Sequence, residues 1–177
     1  GLMASYSKPD AFSDGHAIDI KYVVDVYGPT NMHRLYQDMK QFLDNFSNSL
    51  STWPSILQNR LNVTQNVFGF DPDLEPERAK EFMNQFSPFS HVHPEVPNTL
   101  IIHGERDPLV PVSQSYILKD RLEELAVTHQ MYILKNMGHS FRGATLEQRQ
   151  RVQEWIIMFV TQHYHRATDF LLPEQAA

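Results

Sequence analysis

Asp107 and His139 are the two residues of this chain whose positions best suit catalysis. Each follows an apolar run that predicts a strand, Asp107 within HGERDPLVP and His139 within NMGHSF. Loops after neighbouring parallel strands meet at one edge of a sheet, where a carboxylate could fix the tautomer of an imidazole. The imidazole could then take a proton from a hydroxyl nucleophile. We therefore predict Asp107 and His139 as catalytic residues, with Asp107 as the acidic member of the pair and His139 as the base.

The spacing of this pair favours catalysis over a purely structural interpretation. Asp107-Pro108 is a common turn pair and Gly138-His139 could belong to an ordinary loop, so either pair alone favours a structural role. However, the separation of 139 − 107 = 32 positions leaves room for one helix and one strand, a parallel crossover that brings the two loops together. Pro108 and Pro111 would stiffen the acid loop, and Gly138 would let the base loop approach closely.

A nucleophile that would complete the site is not evident in the sequence. No GxSxG segment, which would present a serine at a sharp strand-to-helix turn, occurs among the 177 residues. Ser5, Ser7 and Ser140 are possible substitutes, but none of them is predicted to lie in such a turn. We therefore expect the chain to be the latter part of an enzyme, with its nucleophile upstream of Gly1, and to be inactive alone.

Alternating strand and helix patterns predict an α/β fold with about three parallel strands. The predicted strands are short apolar or β-branched runs, at residues 18–27, 99–103 and 130–134. The predicted amphipathic helices lie at residues 31–46, 53–61, 76–86 and 113–126. A last helix should begin at a capping box formed by Thr145 and Gln148, and residues 166–177 should form a loosely held tail.

The composition limits the partners and the location of the protein. Lys and Arg number 15 against 21 Asp and Glu, and no basic run is present, so nucleic acid is not expected as a partner. The longest apolar run, residues 155–160, is far shorter than the roughly 20 residues that span a bilayer, so no membrane partner is expected. The absence of cysteine fits a cytoplasmic location and excludes thiolate metal sites.

The segment His91-Val92-His93 has a histidine spacing that metal sites use. No carboxylate cluster accompanies it and Pro94 follows, so a loop is the favoured interpretation. We therefore expect neither a metal nor a cofactor.

Over most of its length the chain resembles the C-terminal part of an α/β-hydrolase. The matching pieces are Ser87-Pro88, the HGxxDplVP run, the GHsF run and the strand that ends at residues 27–30. These pieces are similar to the esterase and lipase branch that includes hormone-sensitive-lipase-like and acetyl- or feruloyl-esterase-like enzymes. Residues 31–86 match only weakly and would form an inserted helical cap within a single partial domain, residues 1–177.

The resemblance implies a serine hydrolase that cleaves carboxylic esters through an acyl-enzyme. It makes Asp107 the acid and His139 the base of a Ser-Asp-His triad. The segment from Gly1 to Ser5 resembles the start of the helix that follows the nucleophile, so the serine would lie about two or three residues before Gly1. The oxyanion-hole amides would be missing as well. The implied partners are a small-molecule ester substrate and the preceding half of the same fold.

Other functions stay open on the sequence. A prolyl-oligopeptidase-type peptidase shares the sheet and the order of Asp before His, and a β-propeller in the parent protein would favour it. A non-catalytic α/β-hydrolase relative would act as a binding module and would lack the serine. A free-standing small domain is a third possibility.

An exposed sheet edge follows from the expectation that a preceding half is missing. The strand at residues 22–27 would then lack a neighbour, and such an edge favours association between copies. A monodisperse monomer in size-exclusion chromatography would count against this prediction.

Overall fold

The structure is a computed structural model that describes residues 2–7, 20–46 and 68–168. Within these ranges the strands form one parallel sheet in the order β1-β2-β3. Their bounds are Tyr22–Val26 for β1, Asn98–Gly104 for β2 and His129–Leu134 for β3. The predicted α/β class with three parallel strands is therefore confirmed, and β1 pairs on one side with β2 in the described part of the chain.

Five helices accompany the strands in the described ranges. They are α1 Leu2–Tyr6, α2 Met32–Phe46, α3 Pro76–Phe86, α4 Ser113–Glu124 and α5 Leu146–Thr168. Short 3-10 turns lie at Pro88–His91 and His139–Phe141. The helix predicted at residues 53–61 lies outside the described residues. The tail predicted at residues 166–177 was wrong for residues 166–168, because α5 continues through Thr168. Residues 169–177 lie outside the described residues.

Two helices begin where side chains satisfy the backbone N–H groups of the first turn. The Asn31 side chain accepts a hydrogen bond from Arg34 N at 2.9 Å, which caps α2. At α5, Gln148 N donates to Thr145 Oγ at 3.2 Å and Thr145 N donates to Gln148 Oε1 at 2.8 Å. The predicted capping box is therefore confirmed.

The central strand β2 separates two apolar cores. Successive side chains of a strand point to opposite faces of the sheet. Leu100 and Ile102 therefore pack on one face against Phe159 of α5, whereas Ile101 packs on the other face against Leu118 of α4. All five side chains are almost completely buried, and each contributes about 1.5–3 kcal/mol relative to exposure. This burial on both faces fixes where β2 ends and where its loop begins.

A third apolar cluster is formed by helices α2 and α3 together with Phe68, which lies between them in the sequence. Its buried members are Phe68, Ala79 and Met83, with Tyr36 and Phe82 packed against them. This cluster lies within the range predicted as an inserted cap, part of which is outside the described residues. The cap and the single-domain assignment stay predictions.

Gly104, the last residue of β2, permits the closest approach to the loop after β3. A Cβ added at Gly104 would lie 2.6 Å from Met137 O and 2.8 Å from Gly138 O, and both of these atoms belong to the backbone. At Gly138 an added Cβ would meet nothing closer than Arg106 O at 3.7 Å. The prediction that Gly138 permits the close approach was wrong, because the crowded backbone faces Gly104.

Asp25 is a buried carboxyl group of β1, on the same sheet face as α1 and α4. It is 5% exposed, and its Oδ2 has no hydrogen-bond partner among the described residues. Burial raises the pKa of Asp25 to about 6, although His103 and the backbone N–H of Gly28 act in the opposite direction. The folded protein therefore keeps this carboxyl group neutral at a pH where the unfolded chain ionises it.

Gly104→Ala should destabilise the fold, whereas Gly138→Ala should be tolerated. The added methyl of the first variant meets backbone that cannot move aside cheaply, which costs about 1–3 kcal/mol. The second variant places its methyl at ordinary contact distances. Urea unfolding of both variants measures the difference. Equal losses of unfolding free energy would show that the close approach at Gly104 is not a constraint.

Relative to wild type, Asp25→Asn should have a higher free energy of unfolding at neutral pH than at acid pH. The folded pKa of about 6 exceeds the ordinary value of 3.8, so the stability associated with Asp25 is complete below 3.8 and is lost as the pH rises through 6. We expect the unfolding free energy of the variant, relative to wild type, to rise by about 2 kcal/mol between about pH 4 and about pH 7.

Asp120→Asn, at an exposed position of α4, is the matched control for Asp25→Asn. The difference in unfolding free energy between this variant and wild type should change by less than about 0.5 kcal/mol across the same pH range. Urea titrations at both pH values supply the numbers. A difference between Asp25→Asn and wild type that does not vary with pH would contradict a buried titrating carboxyl group.

Candidate active site

The loops after β2 and β3 run side by side because their backbones are hydrogen bonded. Glu105 N donates to Leu134 O at 3.0 Å, and Arg106 N donates to Met137 O at 2.8 Å. The Glu105 carboxylate also accepts a hydrogen bond from Asn136 N at 3.0 Å. These contacts hold the two loops that carry the candidate acid and base at a fixed separation.

Asp107 and His139 meet at this edge of the sheet. His139 Nδ1 lies 2.8 Å from Asp107 Oδ2, which is hydrogen-bond distance. Asp107 Oδ1 accepts two further hydrogen bonds, from Leu109 N and Val110 N, each at 2.9 Å. The Asp107 side chain has no exposed surface, whereas 29% of the His139 side chain is exposed. The structure thus brings the predicted pair together, and the catalytic function of the two residues stays a prediction.

The hydrogen bonds around Asp107 favour its ionised form. Burial opposes ionisation and is the largest single influence on the pKa of Asp107. Donors from His103, Val110, His139 and Leu109 together outweigh burial and lower this pKa below its ordinary value. A carboxylate held in this way can keep the proton of His139 on Nδ1, which leaves Nε2 as the basic atom.

Aromatic rings hold the imidazole of His139 from the side. The Tyr27 ring lies 4.7 Å from the His139 ring, centroid to centroid, and 5.4 Å from the Phe141 ring. In the described part of the chain no hydrogen bond reaches His139 Nε2. The His139 ring is therefore oriented by one carboxylate and one aromatic ring, and in the described residues its Nε2 has no hydrogen-bond partner.

Backbone strain is concentrated at the same edge. Four residues there other than glycine have left-handed backbones: Tyr27 with φ 48°, Asn136 with φ 62°, Ser140 with φ 56° and Phe141 with φ 54°. Such conformations cost of order 1–3 kcal/mol each and persist only where the surrounding structure enforces them. Tyr27 follows β1, and the other three belong to the loop that carries His139. The strain therefore accompanies the aromatic contacts that orient the base.

A buried amide fixes the loop that carries Tyr27. The Gln114 side chain is fully buried at the start of α4, and its Oε1 accepts hydrogen bonds from Thr30 N at 3.0 Å and Asn31 N at 2.7 Å. Thr30 Oγ also donates to the Gln114 carbonyl at 2.6 Å. The end of β1 is therefore anchored to α4, next to the acid loop.

His103 is a site residue that sequence reasoning missed. It lies on β2 with no exposed surface, and its Nε2 lies 2.9 Å from Val110 O and 3.4 Å from Asp107 Oδ2. Its Nδ1 lies 2.7 Å from Ser115 Oγ. A histidine at the end of an apolar strand run is itself a signal, because a buried imidazole requires polar partners.

The other residues singled out from the sequence have ordinary surroundings. His91 Nε2 lies 2.8 Å from Gln85 O, and His93 Nδ1 accepts a hydrogen bond from Glu95 N at 3.3 Å. Among residues 2–7, 20–46 and 68–168 no group of three potential ligands is placed to hold a metal ion.

The three serines considered as substitute nucleophiles lie in two places. Ser5 is in α1 and Ser7 directly follows it. Ser140 does adopt a left-handed backbone between β3 and α5, contrary to expectation, but the described structure contains no hydrogen bond from its hydroxyl to the ring of His139.

None of the helices in the described ranges is both long enough and apolar enough to cross a membrane.

Solved structures of esterases share the fold of this chain. The truncated form of a carbohydrate esterase from gut microbiota matches 90% of the chain with a TM-score of 0.56 and 20% identity. A thermophilic esterase from Thermogutta terrifontis matches 90% with a TM-score of 0.55 and 15% identity. The chain covers 55% and 50% of these two structures. At these identities the likeness shows the α/β-hydrolase fold alone.

A curated sequence that is similar to this chain is named as an esterase. It is 27% identical over 142 residues to Esterase LipQ of Mycobacterium tuberculosis, a match that includes 80% of this chain and 28% of LipQ. The chain therefore spans little more than a quarter of the length of this relative. Residues 3–122 match the BD-FAE family. Because this match includes well over half of the chain, the protein belongs to the BD-FAE family, an esterase-like group within the α/β-hydrolases.

Proposed function

We propose that this chain supplies the acid and the base of a serine esterase that cleaves carboxylic esters. The observation that carries the proposal is the 2.8 Å contact between Asp107 and His139 at the carboxyl edge of the sheet. Family membership supports ester hydrolysis, and the geometry supports the pair that would activate a nucleophile. The nucleophilic serine would come from a segment that precedes Gly1 in the intact protein.

His139 would move the proton in both halves of the reaction. Its Nε2 removes the proton of the serine hydroxyl as the serine oxygen forms a bond to the ester carbonyl carbon. The protonated ring then gives this proton to the alcohol oxygen as the ester bond breaks, which leaves an acyl-enzyme. Water attacks the acyl carbon in the same manner, and the carboxylic acid is released. Asp107 stays ionised and stabilises the imidazolium in both halves.

The direction of α1 supports a nucleophile just before this chain. A Cβ built on Gly28, which follows β1 at the carboxyl edge, would lie 3.3 Å from Leu2 Cδ1. Tyr6, at the other end of α1, is hydrogen bonded to Thr99 at the amino end of β2, with 2.9 Å between the two hydroxyl oxygens. Helix α1 therefore begins near the edge that holds His139. Residues upstream of Gly1 in an intact protein would then approach that edge, where a nucleophile is needed.

Helices α2 and α3 would form part of the cover of the site. The start of α2 is tied to the end of α3 because Ser87 Oγ accepts a hydrogen bond from Met32 N at 2.9 Å. Phe89 N also donates to Thr30 O at 2.9 Å, in the loop that follows β1. This pair of helices is thereby attached next to Tyr27 and the base. Their apolar cluster is suited to contact the apolar part of an ester.

Alanine substitution of the pair should abolish ester hydrolysis in the protein encoded by the full reading frame that contains this chain. We expect kcat on short p-nitrophenyl esters to fall by about 10⁴-fold in His139→Ala and by a similar factor in Asp107→Ala, because a triad acts as a unit. The change in KM should be small by comparison.

His129→Ala and Asp120→Ala are matched controls, because His129 lies at the amino end of β3 and Asp120 lies on α4. Both should retain most of the activity. Retention of activity by His139→Ala would refute the proposal. Hydrolysis of peptide substrates in preference to esters would favour the peptidase alternative instead.

A further inference from the structure

We infer that His103 is a positioning residue for the acid–base pair. It is a second histidine, which contacts the Asp107 loop from its buried side. The inference rests on the proposed function, because it concerns the same pair. His103 belongs to β2, and its ring lies between α4 and the acid loop. Asp107 is therefore placed between two imidazoles, His139 on the exposed side and His103 on the buried side.

The contacts of His103 bridge three segments of the fold. Its Nε2 lies 2.9 Å from Val110 O and 3.4 Å from Asp107 Oδ2, the same oxygen that accepts the His139 hydrogen bond. Its Nδ1 lies 2.7 Å from Ser115 Oγ on α4. The side chains of His103 and Asp107 have no exposed surface, so water does not compete for these contacts.

The chemistry of the partners determines which nitrogen of His103 carries the proton. A backbone carbonyl can only accept a hydrogen bond, and the same is true of an ionised carboxylate. Nε2 must therefore be the donor, toward Val110 O and secondarily toward Asp107 Oδ2. In the neutral ring, Nδ1 then accepts the hydroxyl proton of Ser115. This assignment satisfies the Val110 carbonyl, Asp107 Oδ2 and the Ser115 hydroxyl.

The Nε2 contact joins the acid loop to the rigid central strand. Asp107 Oδ1 closes the loop on itself through Leu109 N and Val110 N, and those contacts do not tie it to β2. His103 adds a side-chain tie through the Val110 carbonyl, beside the backbone hydrogen bond from Asp107 N to Gly104 O at 3.2 Å. With the loop fixed to β2, Asp107 Oδ2 stays in line with Nδ1 of His139. A displacement of about 1 Å in such a contact can lower a rate by about 100-fold.

A pair of amide substitutions separates the two nitrogens of His103. The side-chain amide of His103→Gln reaches about as far as Nε2, so it can still donate to Val110 O and Asp107. The shorter side chain of His103→Asn reaches about as far as Nδ1, so it can meet Ser115 but not the acid loop. Both variants remove the ring and place an amide in the same buried space, and Asn leaves a space one methylene larger than Gln does.

Two readouts should distinguish the variants in the protein encoded by the full reading frame. The first is the proton NMR signal of His139 Nδ1–H, which His103→Gln should retain and His103→Asn should lose to solvent exchange. The second is kinetics on a p-nitrophenyl ester, where kcat should fall by about 100-fold in His103→Asn with little change in KM. His103→Gln should stay within about tenfold of wild type. Unchanged imidazole signals of His129 would show that the sheet is intact.

Equal behaviour of the Gln and Asn variants would overturn the inference, since a purely structural histidine would not distinguish the two nitrogens. If His103→Asn does not fold, nitrogen NMR of wild-type His103 decides. A proton on Nε2 supports the inference and a proton on Nδ1 overturns it. The NMR measurements need no turnover, so they stand even if the protein proves not to be an esterase. An active esterase in which both variants give the same spectra would overturn this inference alone.

Discussion

The structure of this site depends on one part-buried hydrogen bond, between Asp107 Oδ2 and Nδ1 of His139 at 2.8 Å. Its two residues are far apart in sequence and belong to loops that follow different strands. The bond therefore forms only if β2 and β3 pair in register and their loops stay parallel, which the backbone contact of Arg106 with Met137 ensures. Because the carboxylate is buried, each of its donors has a large effect, and the structure surrounds it with several.

The central strand supplies most of this precision. Burial of β2 on both faces fixes its end, and Gly104 at that end lets the base loop pass within contact distance of the acid loop. His103, one residue earlier, points into the buried face and holds the acid loop from beneath. On the neighbouring strand, Tyr27 contacts the ring of His139. The site is thus assembled from the ends of all three strands in the described sheet, as is usual for parallel sheets.

Much of this arrangement could be predicted from the sequence, because the strands and helices follow hydrophobic periods and the capping box at Thr145 is a local pattern. The pairing of Asp107 with His139 could be predicted because a crossover has a characteristic length. The glycine at which the loop after β3 approaches β2 most closely could not be predicted correctly. The prediction named Gly138, but strand register determines which backbone atoms face a glycine. The contacts of His103 and Tyr27 were missed for a similar reason, since they join segments with no common sequence pattern.

We propose that the Asp107–His139 pair activates a serine. A crystal structure of the protein from the full reading frame, after reaction with a fluorophosphonate that bonds covalently to activated serines, would test this proposal. We expect phosphorus bonded to one serine oxygen, with Nε2 of His139 within about 3 Å of an oxygen of the adduct. An unmodified protein, or an adduct remote from His139, would contradict it.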